Sequence, residues 1–429
     1  MQTVQKTSLL LSSNSLDRNA ERALLNYAQW FRVVLLTGPR QSGKTTLARK
    51  TFPSKPYVSM EDANTRRRAE FDPAAFIAEF PNGAVIDEVQ RAPFLLSEIQ
   101  GVVDERKRMG DFVLTGSQQF GLLTQVTQSL AGRAGVLQLL PFSRGELLAG
   151  IGPKSDLTSN PTNNKLTINE LMWQGGYPGL YSSANTATDN RKRNGKPRFE
   201  PIVGEALHHA WFNSYVMTYL ERDVREVLAV ADLAQFQRFL LMCAARAGQL
   251  LNLNSLAADC GITHTTARRW ITVLQASYVV TLLPPYFQNF GKRLVKTPKL
   301  YFLDTGLLCH LLRIESPLGL ATHAMRGAIF ENWVLTETIK HRWNQGLAAD
   351  VYFWRDNHGT EVDLVFEHNG LLQAVDIKSG TTFASDWANA CKKWQSYAGR
   401  EAAKPIVIYG GNEGLDTAAF RLMSWRDLG

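Results

Sequence analysis

Residues 38–46 read Gly38-Pro39-Arg40-Gln41-Ser42-Gly43-Lys44-Thr45-Thr46, and residues 84–88 read Ala84-Val85-Ile86-Asp87-Glu88. The first stretch fits G-x-x-x-x-G-K-[ST], with Gly38, Gly43, Lys44 and Thr45 in register. Val33-Val34-Leu35-Leu36 before it is short, apolar and β-branched, as a buried strand is, and Thr45 to Lys50 reads as helix. Strand, glycine loop and helix together make a phosphate cradle. Backbone N–H groups and the helix N-terminus face the phosphates. Lys44 would reach the β- and γ-phosphates, and the Thr45 hydroxyl would hold Mg²⁺. The second stretch reads as a buried strand ending in two acids. Asp87 suits the magnesium shell, and Glu88 suits the polarisation of an attacking water. No Asn-Lys-x-Asp follows downstream, so ATP is expected rather than GTP. A small-molecule kinase or an inactive nucleotide binder would share the loop, but the two motifs in order favour hydrolysis.

A chain of 429 residues has room for two to four domains. Its formal charge of +8 favours an anionic partner such as nucleic acid. The four cysteines (Cys243, Cys260, Cys309, Cys391) stand far apart. That spacing argues against a zinc site or a disulfide framework and fits a reducing cytosol. There is no run of about eighteen apolar residues, so no membrane partner and a cytoplasmic location are expected.

Residues 20–147 alternate strand and helix signals, with strands expected at 33–37, 56–59, 84–87, 112–116 and 136–140. The pattern predicts a doubly wound α/β nucleotide domain. Polar stretches near 152–166 and 182–200 read as loops, the second carrying Arg191-Lys192-Arg193. The pattern turns helical from 205 to 250. Mixed α/β signals return from 322, with a helix at 326–343, strands at 351–354, 361–366 and 372–378, a helix at 386–398 and a strand at 405–409.

Phe112-Val113-Leu114-Thr115-Gly116-Ser117-Gln118 is another buried strand with a polar end. In a doubly wound sheet that end lies at the nucleotide edge, so Ser117 or Gln118 is placed to sense the γ-phosphate or orient water. Arg133, after Gly132 and before a strand, suits a guanidinium that reaches a neighbouring subunit's nucleotide.

Gly38–Thr46, Val85–Gln90, Leu114–Ser117, Ser129–Arg133 and Gly175-Gly176-Tyr177-Pro178 form an ordered set. It resembles the bacterial and archaeal AAA+-type ATPases whose C-terminal half is a domain of unknown function, and the likeness covers most of the chain. The resemblance implies a winged helix and a restriction-endonuclease-like domain after the ATPase. It also implies a homo-oligomer, with a hexameric ring among the options. The expected division is an AAA+-like P-loop core at 1–150, a helical lid with polar loops at 151–231, a winged helix-turn-helix at 232–320 and a nuclease-like α/β domain at 321–429.

The residues themselves support the third unit. Leu256 to Ile262 reads as a short helix closing on Gly261, and Thr263 to Leu274 as a second helix with Thr263 as its N-cap. Ala257, Ile262, Ala267, Ile271 and Leu274 would form its core. Thr265, Thr266, Arg268 and Arg269 then fall on the open face, as in a recognition helix. Val279 to Leu283 suits a wing strand, with Gly291-Lys292-Arg293 at the wing turn. Between 255 and 300 the bases are Arg268, Arg269, Lys292, Arg293, Lys296 and Lys299, and the only acid is Asp259. That imbalance points to a DNA backbone; the same fold also serves for protein contacts.

In the last unit, Glu361-Val362-Asp363 and Asp376-Ile377-Lys378 lie on successive strands. Alternation puts Glu361 with Asp363 on one face, and likewise Asp376 with Lys378. Glu331, on the helix before them, would add a ligand. Carboxylate oxygens suit Mg²⁺, and a nearby lysine can orient a nucleophilic water. The pattern Glu331, Asp363, Asp376, Lys378 is similar to PD-(D/E)xK nucleases. Trp354-Arg355 offers a further DNA contact, or Trp354 a buried edge.

The sequence therefore points to an oligomeric Mg-ATP-dependent ATPase that remodels, translocates or processes duplex or branched DNA. Two alternatives are an ATP-dependent metal nuclease and a nucleotide-gated scaffold or signalling ATPase whose C-terminal half binds protein.

Overall fold

The computed structural model describes residues 16–117, 129–151, 166–183, 199–201, 204–220, 233–286 and 296–428. Five parallel strands form the first sheet: β1 (Val33–Thr37), β2 (Tyr57–Ser59), β3 (Ala84–Asp87), β4 (Phe112–Gly116) and β5 (Ala134–Gln138), in the order β2-β3-β4-β1-β5. Side-chain alternation explains why it is covered on both faces. Val34 and Leu36 pack with Ala23 and Leu24 of the helix Glu21–Trp30 and Leu47 of the helix Lys44–Thr51. Val33 and Leu35 point the other way, into a cluster with Phe76, Ile77, Leu95, Ile99 and Val103. Each fully buried leucine contributes about 1.5–3 kcal/mol. Two strand expectations shift. β2 begins at Tyr57, and β5 spans 134–138 rather than 136–140 because Ala134 already pairs with Val33.

After the first sheet come the helix Arg144–Ile151, a capped helix Ile168–Gln174, an antiparallel pair β6 (Tyr181–Ser183) and β7 (Phe199–Pro201), and the helix Glu205–Tyr215. Arg191-Lys192-Arg193 lies outside the described residues. The helix Leu233–Ala244 then leads to a tight pair, Leu253–Cys260 and His264–Ala276. Gly261 closes the first of the pair in the left-handed region, and Thr263 caps the second by accepting the Thr266 N–H at 3.1 Å. Ala257, Ala267, Ile271 and Leu274 are buried as expected, whereas Ile262 is half-buried at the edge of that core. β8 (Val280–Leu283) and β9 (Lys299–Phe302) follow as an antiparallel pair. Lys292 and Arg293 lie outside the described residues.

The second sheet contains β10 (Val351–Arg355), β11 (Glu361–His368), β12 (Leu371–Lys378), β13 (Ile406–Tyr409), β14 (Leu415–Asp416) and β15 (Arg421–Ser424), in the order β10-β11-β12-β13-β15-β14. β14 escapes sequence reading because it is two residues long; β15, as long as β13, escapes it too. The helix Asn389–Ala398 covers one face through Cys391 and Trp394, packed on Val362, Val365 and the buried Trp354. The helix Arg326–Asn344 serves the other face and also reaches the first sheet's exit. Its Lys340 donates to the Phe142 carbonyl and its Glu337 accepts from the Arg144 N–H, each at 2.8 Å. A single hydrophobic cluster runs from Leu140 through the middle helices to Trp425. Among the described residues, no helix is long and apolar enough to cross a membrane.

Candidate functional site: a nucleotide site and two outlying surfaces

The loop after β1 passes close beneath the chain leaving β5. A Cβ on Gly38 would lie 2.1 Å from the Leu139 carbonyl oxygen, so no larger residue fits there. Gly43, at φ +92, starts the helix Lys44–Thr51 in a conformation that side chains disfavour. Lys44 is buried and donates from Nζ to the Gly38 and Pro39 carbonyls at 3.0 and 2.7 Å. Burial lowers its pKa to about 8, against the opposing pull of Glu88 and Asp87. The Ser42 hydroxyl is buried and has no hydrogen-bond partner among the described residues. A cradle that a Cβ would fill, a buried cation and an unsatisfied hydroxyl fit a polyphosphate. Arg40 and Gln41 belong to the same turn, Gln41 with positive φ, and Thr46 is exposed.

Asp87 ends β3 as the centre of a hydroxyl network. Its Oδ1 accepts from Thr45 Oγ1 at 2.8 Å and also from Thr115 Oγ1, while its Oδ2 accepts from the Tyr57 hydroxyl at 2.9 Å. Burial, then the Asp87 charge, pushes Tyr57 up to about 12, so it remains a donor. Asp87 and Thr45 thus stand together, as a magnesium shell requires. Glu88 follows in the left-handed region at φ +56. Its Oε2 accepts from Ser117 Oγ at 3.1 Å and from the Gln90 amide, which itself donates to Ser117 at 3.1 Å. The sheet order brings these ends together, since β4 lies between β1 and β3. Ser117 therefore meets Glu88; Gln118 lies outside the described residues.

Several site residues were not read from sequence. Arg18 is buried and donates to the Ser42 and Leu140 carbonyls, both at 2.7 Å, with Glu146 as its ion-pair partner. It braces the loop from behind. Pro178 comes within 3.8 Å of a Cβ placed on Gly43, so the Gly175–Pro178 turn abuts the loop. Thr115 had a local signal, two residues before Ser117, and Gln90 closes the stretch Val85–Gln90; Tyr57 had none. Arg133 makes a bidentate pair with Asp104, both contacts at 2.6 Å. In the chain as it stands, that guanidinium is held within its own subunit.

On the helix His264–Ala276, Thr265, Arg268 and Arg269 are exposed and Thr266 is half-exposed. Asp259, the one local acid, pairs with Arg246. The basic count is corrected at Lys299. That residue is buried, its Nζ 3.0 Å from Glu331 and ion-paired with Glu361, so it faces the C-terminal unit rather than solvent.

The same lysine alters the acidic cluster. Glu331, Glu361 and Asp363 bring carboxylate oxygens within 4.8 Å of one another. Asp376, which the sequence pattern set with Glu331 and Asp363, is not one of these three. Asp376 sits beside Asp363 and pairs with Lys378 at 2.5 Å. Burial, then Asp376, raises Asp363 well above the usual carboxylate range, and burial, then Asp363, raises Glu331 to about 7. Lys299 already supplies a cation to this cluster. Arg355 lies 3.2 Å from Glu361, and Trp354 is buried.

Three stretches of the chain match known family models. Residues 31–148 match the family described as AAA domain. Residues 201–318 and 326–428 match two domains of unknown function, DUF8612 and DUF4143. The uncharacterized proteins Rv2008c of Mycobacterium tuberculosis (strain H37Rv) and Mb2031c of Mycobacterium bovis are each 32% identical over 352 residues, which is 82% of this chain and 71% of theirs. The chain belongs to their family. It is an AAA-domain protein, and its AAA domain implies nucleotide binding. Among solved structures, the Walker-type ATPase PABY2304 of Pyrococcus abyssi is 14% identical, with 70% of this chain and 96% of that one covered at a TM-score of 0.43. For Thermotoga maritima RuvB T158V the values are 19%, 62%, 86% and 0.27. Scores this low add nothing to the argument from the residues.

Two outcomes follow from the AAA-domain site. Since free Lys44 titrates near 8, ATP binding at pH 8.5 should take up a proton as the phosphates restore the ammonium. Calorimetry in buffers of different ionisation enthalpy measures that uptake, and it should fade at pH 6.5, where Lys44 is already charged. Substitution of Glu88 by Gln should cut turnover by about 100-fold or more while nucleotide still binds. Steady-state phosphate release with parallel nucleotide titration separates the two effects.

Proposed function

We propose that this AAA-domain protein is a Mg-ATP-dependent ATPase that works on DNA as a homo-oligomer. The observation that carries the reading is the meeting of Lys44, Thr45, Asp87, Glu88 and Ser117 at one edge of the first sheet. Mg-ATP would supply the phosphoryl group and the metal charge. Lys44 and the loop 38–46 would bind the phosphates, and Thr45 with Asp87 would hold the ion. Glu88 Oε2 would accept a proton from water, its carboxylate kept in place by Ser117 and Gln90. Arg133 would complete a neighbour's site in a ring or other oligomer, which requires it to leave Asp104.

The DNA part rests on the exposed Thr265, Arg268 and Arg269, with Thr266 at the edge. They lie on a helix whose opposite face is buried and which is followed by a β-hairpin, as in a winged helix. Contact with the phosphate backbone suits two adjacent arginines better than base reading does. ATP-driven movement of this unit against the AAA core would remodel or translocate duplex or branched DNA.

A second reading, metal-dependent cleavage by Glu331, Asp363, Asp376 and Lys378, is favoured by the carboxylates of Glu331 and Asp363, which converge with Glu361, and by Asp376 beside Asp363. The Lys299 ammonium opposes it, because a divalent ion would have to displace an ion-paired cation.

Fluorescence anisotropy of labelled duplex against salt tests the DNA assignment. Arg268→Ala with Arg269→Ala should weaken binding and flatten the slope of log K against log salt by about 2. An unchanged slope would remove this helix from the DNA interface and favour the protein-binding scaffold.

A further inference from the structure

Tyr278 joins the basic helix to the root of the phosphate loop. Its hydroxyl lies 2.7 Å from Thr37 Oγ1, and Thr37 is the last residue of β1, directly before Gly38. It also hydrogen-bonds the Gln138 side chain. Thr37 and Gln138 are register partners, so one phenol caps the ends of β1 and β5 together. The contact is buried, and the ring meets Trp343 of the helix Arg326–Asn344 edge to face at 6.2 Å.

The backbone at Tyr278 is unusual. The residue stands just after the helix His264–Ala276 and its C-cap Ser277, at φ +56. The Val279 N–H returns to the Leu274 carbonyl at 2.9 Å, a helix-ending bond that normally places glycine where Tyr278 stands. Glycine would end this helix without strain. A bulky aromatic in the left-handed region, with its hydroxyl sunk into a neighbouring unit, marks a position kept for its side chain. The other end of the same helix carries Thr265, Arg268 and Arg269.

We propose that Tyr278 is the positioning residue through which the nucleotide state of the loop 38–46 sets the placement of the helix His264–Ala276. Phosphates drawing on Gly38 and Lys44 shift the end of β1, and Thr37 passes that shift to the phenol. Because Tyr278 is rigidly continuous with the helix, the helix moves with it. By reciprocity, a ligand that biases the helix alters nucleotide affinity by the same factor. The inference rests on the nucleotide-site reading and does not depend on the identity of the helix's ligand.

The test is amide hydrogen exchange of the full chain with and without the magnesium complex of a slowly hydrolysed ATP analogue, alongside titration with a fluorescent nucleotide. The native chain should show a nucleotide-dependent change over 264–283. Tyr278→Phe keeps the ring and should bind nucleotide within about threefold of the native affinity, yet lose that change. Thr37→Val should reproduce the loss from the other side, the double variant should add nothing further, and Thr37→Ser should retain the response. If Tyr278→Phe does not fold, the Thr37 pair decides alone. A response kept in Tyr278→Phe or in Thr37→Val overturns the proposal, as does a native chain that binds nucleotide without any change at the helix. A native chain that binds no nucleotide fails the site reading instead.

Discussion

Glu337 and Lys340 form a buried ion pair, 2.9 Å apart, one turn from each other on the helix Arg326–Asn344. Neither charge is left for water, and each uses its remaining capacity on the AAA domain. Glu337 accepts the Arg144 N–H, and Lys340 donates to the Phe142 carbonyl. The chain leaving β5 is thereby clamped to a helix some two hundred residues later. Removing one partner would strand the other charge in the interior, at a cost of about 3–5 kcal/mol. Other long-range bonds repeat the pattern on a smaller scale. Asp304 accepts the Gly176 N–H at 2.8 Å, and Tyr27 donates to the Gly346 carbonyl at 2.9 Å. These polar ties sit around one continuous hydrophobic cluster, so the C-terminal half is held on the nucleotide domain by packing as well as by charge.

That clamp gives the nucleotide site its wider meaning. Taken alone, the site is a local assembly of strand ends. Asp87 gathers hydroxyls from Thr45, Thr115 and Tyr57, and Glu88 gathers Ser117 and Gln90. The left-handed backbone at Glu88 costs about 1–3 kcal/mol, offset by these bonds and by the Glu88 N–H to Thr115 at 3.3 Å. Set against the clamped C-terminal half, the phosphate loop and its root meet Arg18 at the Ser42 carbonyl, Pro178 beside Gly43 and Tyr278 at Thr37. The loop is therefore surrounded by elements from three parts of the sequence, each able to respond to what the loop binds.

The parts that were legible in the sequence are those whose chemistry is local. A glycine loop, a strand ending in Asp87-Glu88 and a Thr263 cap are short-range arrangements that the residue order specifies. Ser117 could be assigned because strand order in a doubly wound sheet is itself predictable. Long-range partners were out of reach. Nothing near Arg18 announces that its guanidinium braces Ser42, and nothing near Tyr278 announces Thr37. Lys299 misled for the same reason: a lysine in a basic stretch reads as solvent-facing until Glu331 and Glu361 are seen around it. The nuclease-like pattern was legible as a set of acids, yet which of them converge depended on the helix bearing Glu331, which meets Glu361 and Asp363 of β11.

The most direct test of the account is ATP turnover by the purified protein with Mg²⁺, measured without DNA and with duplex, single-stranded and branched DNA, with the DNA run on gels afterwards. A DNA-coupled ATPase predicts marked stimulation by one DNA form, with that DNA left uncut. Turnover that stays flat across every form would contradict the account and assign the exposed basic helix to a protein partner.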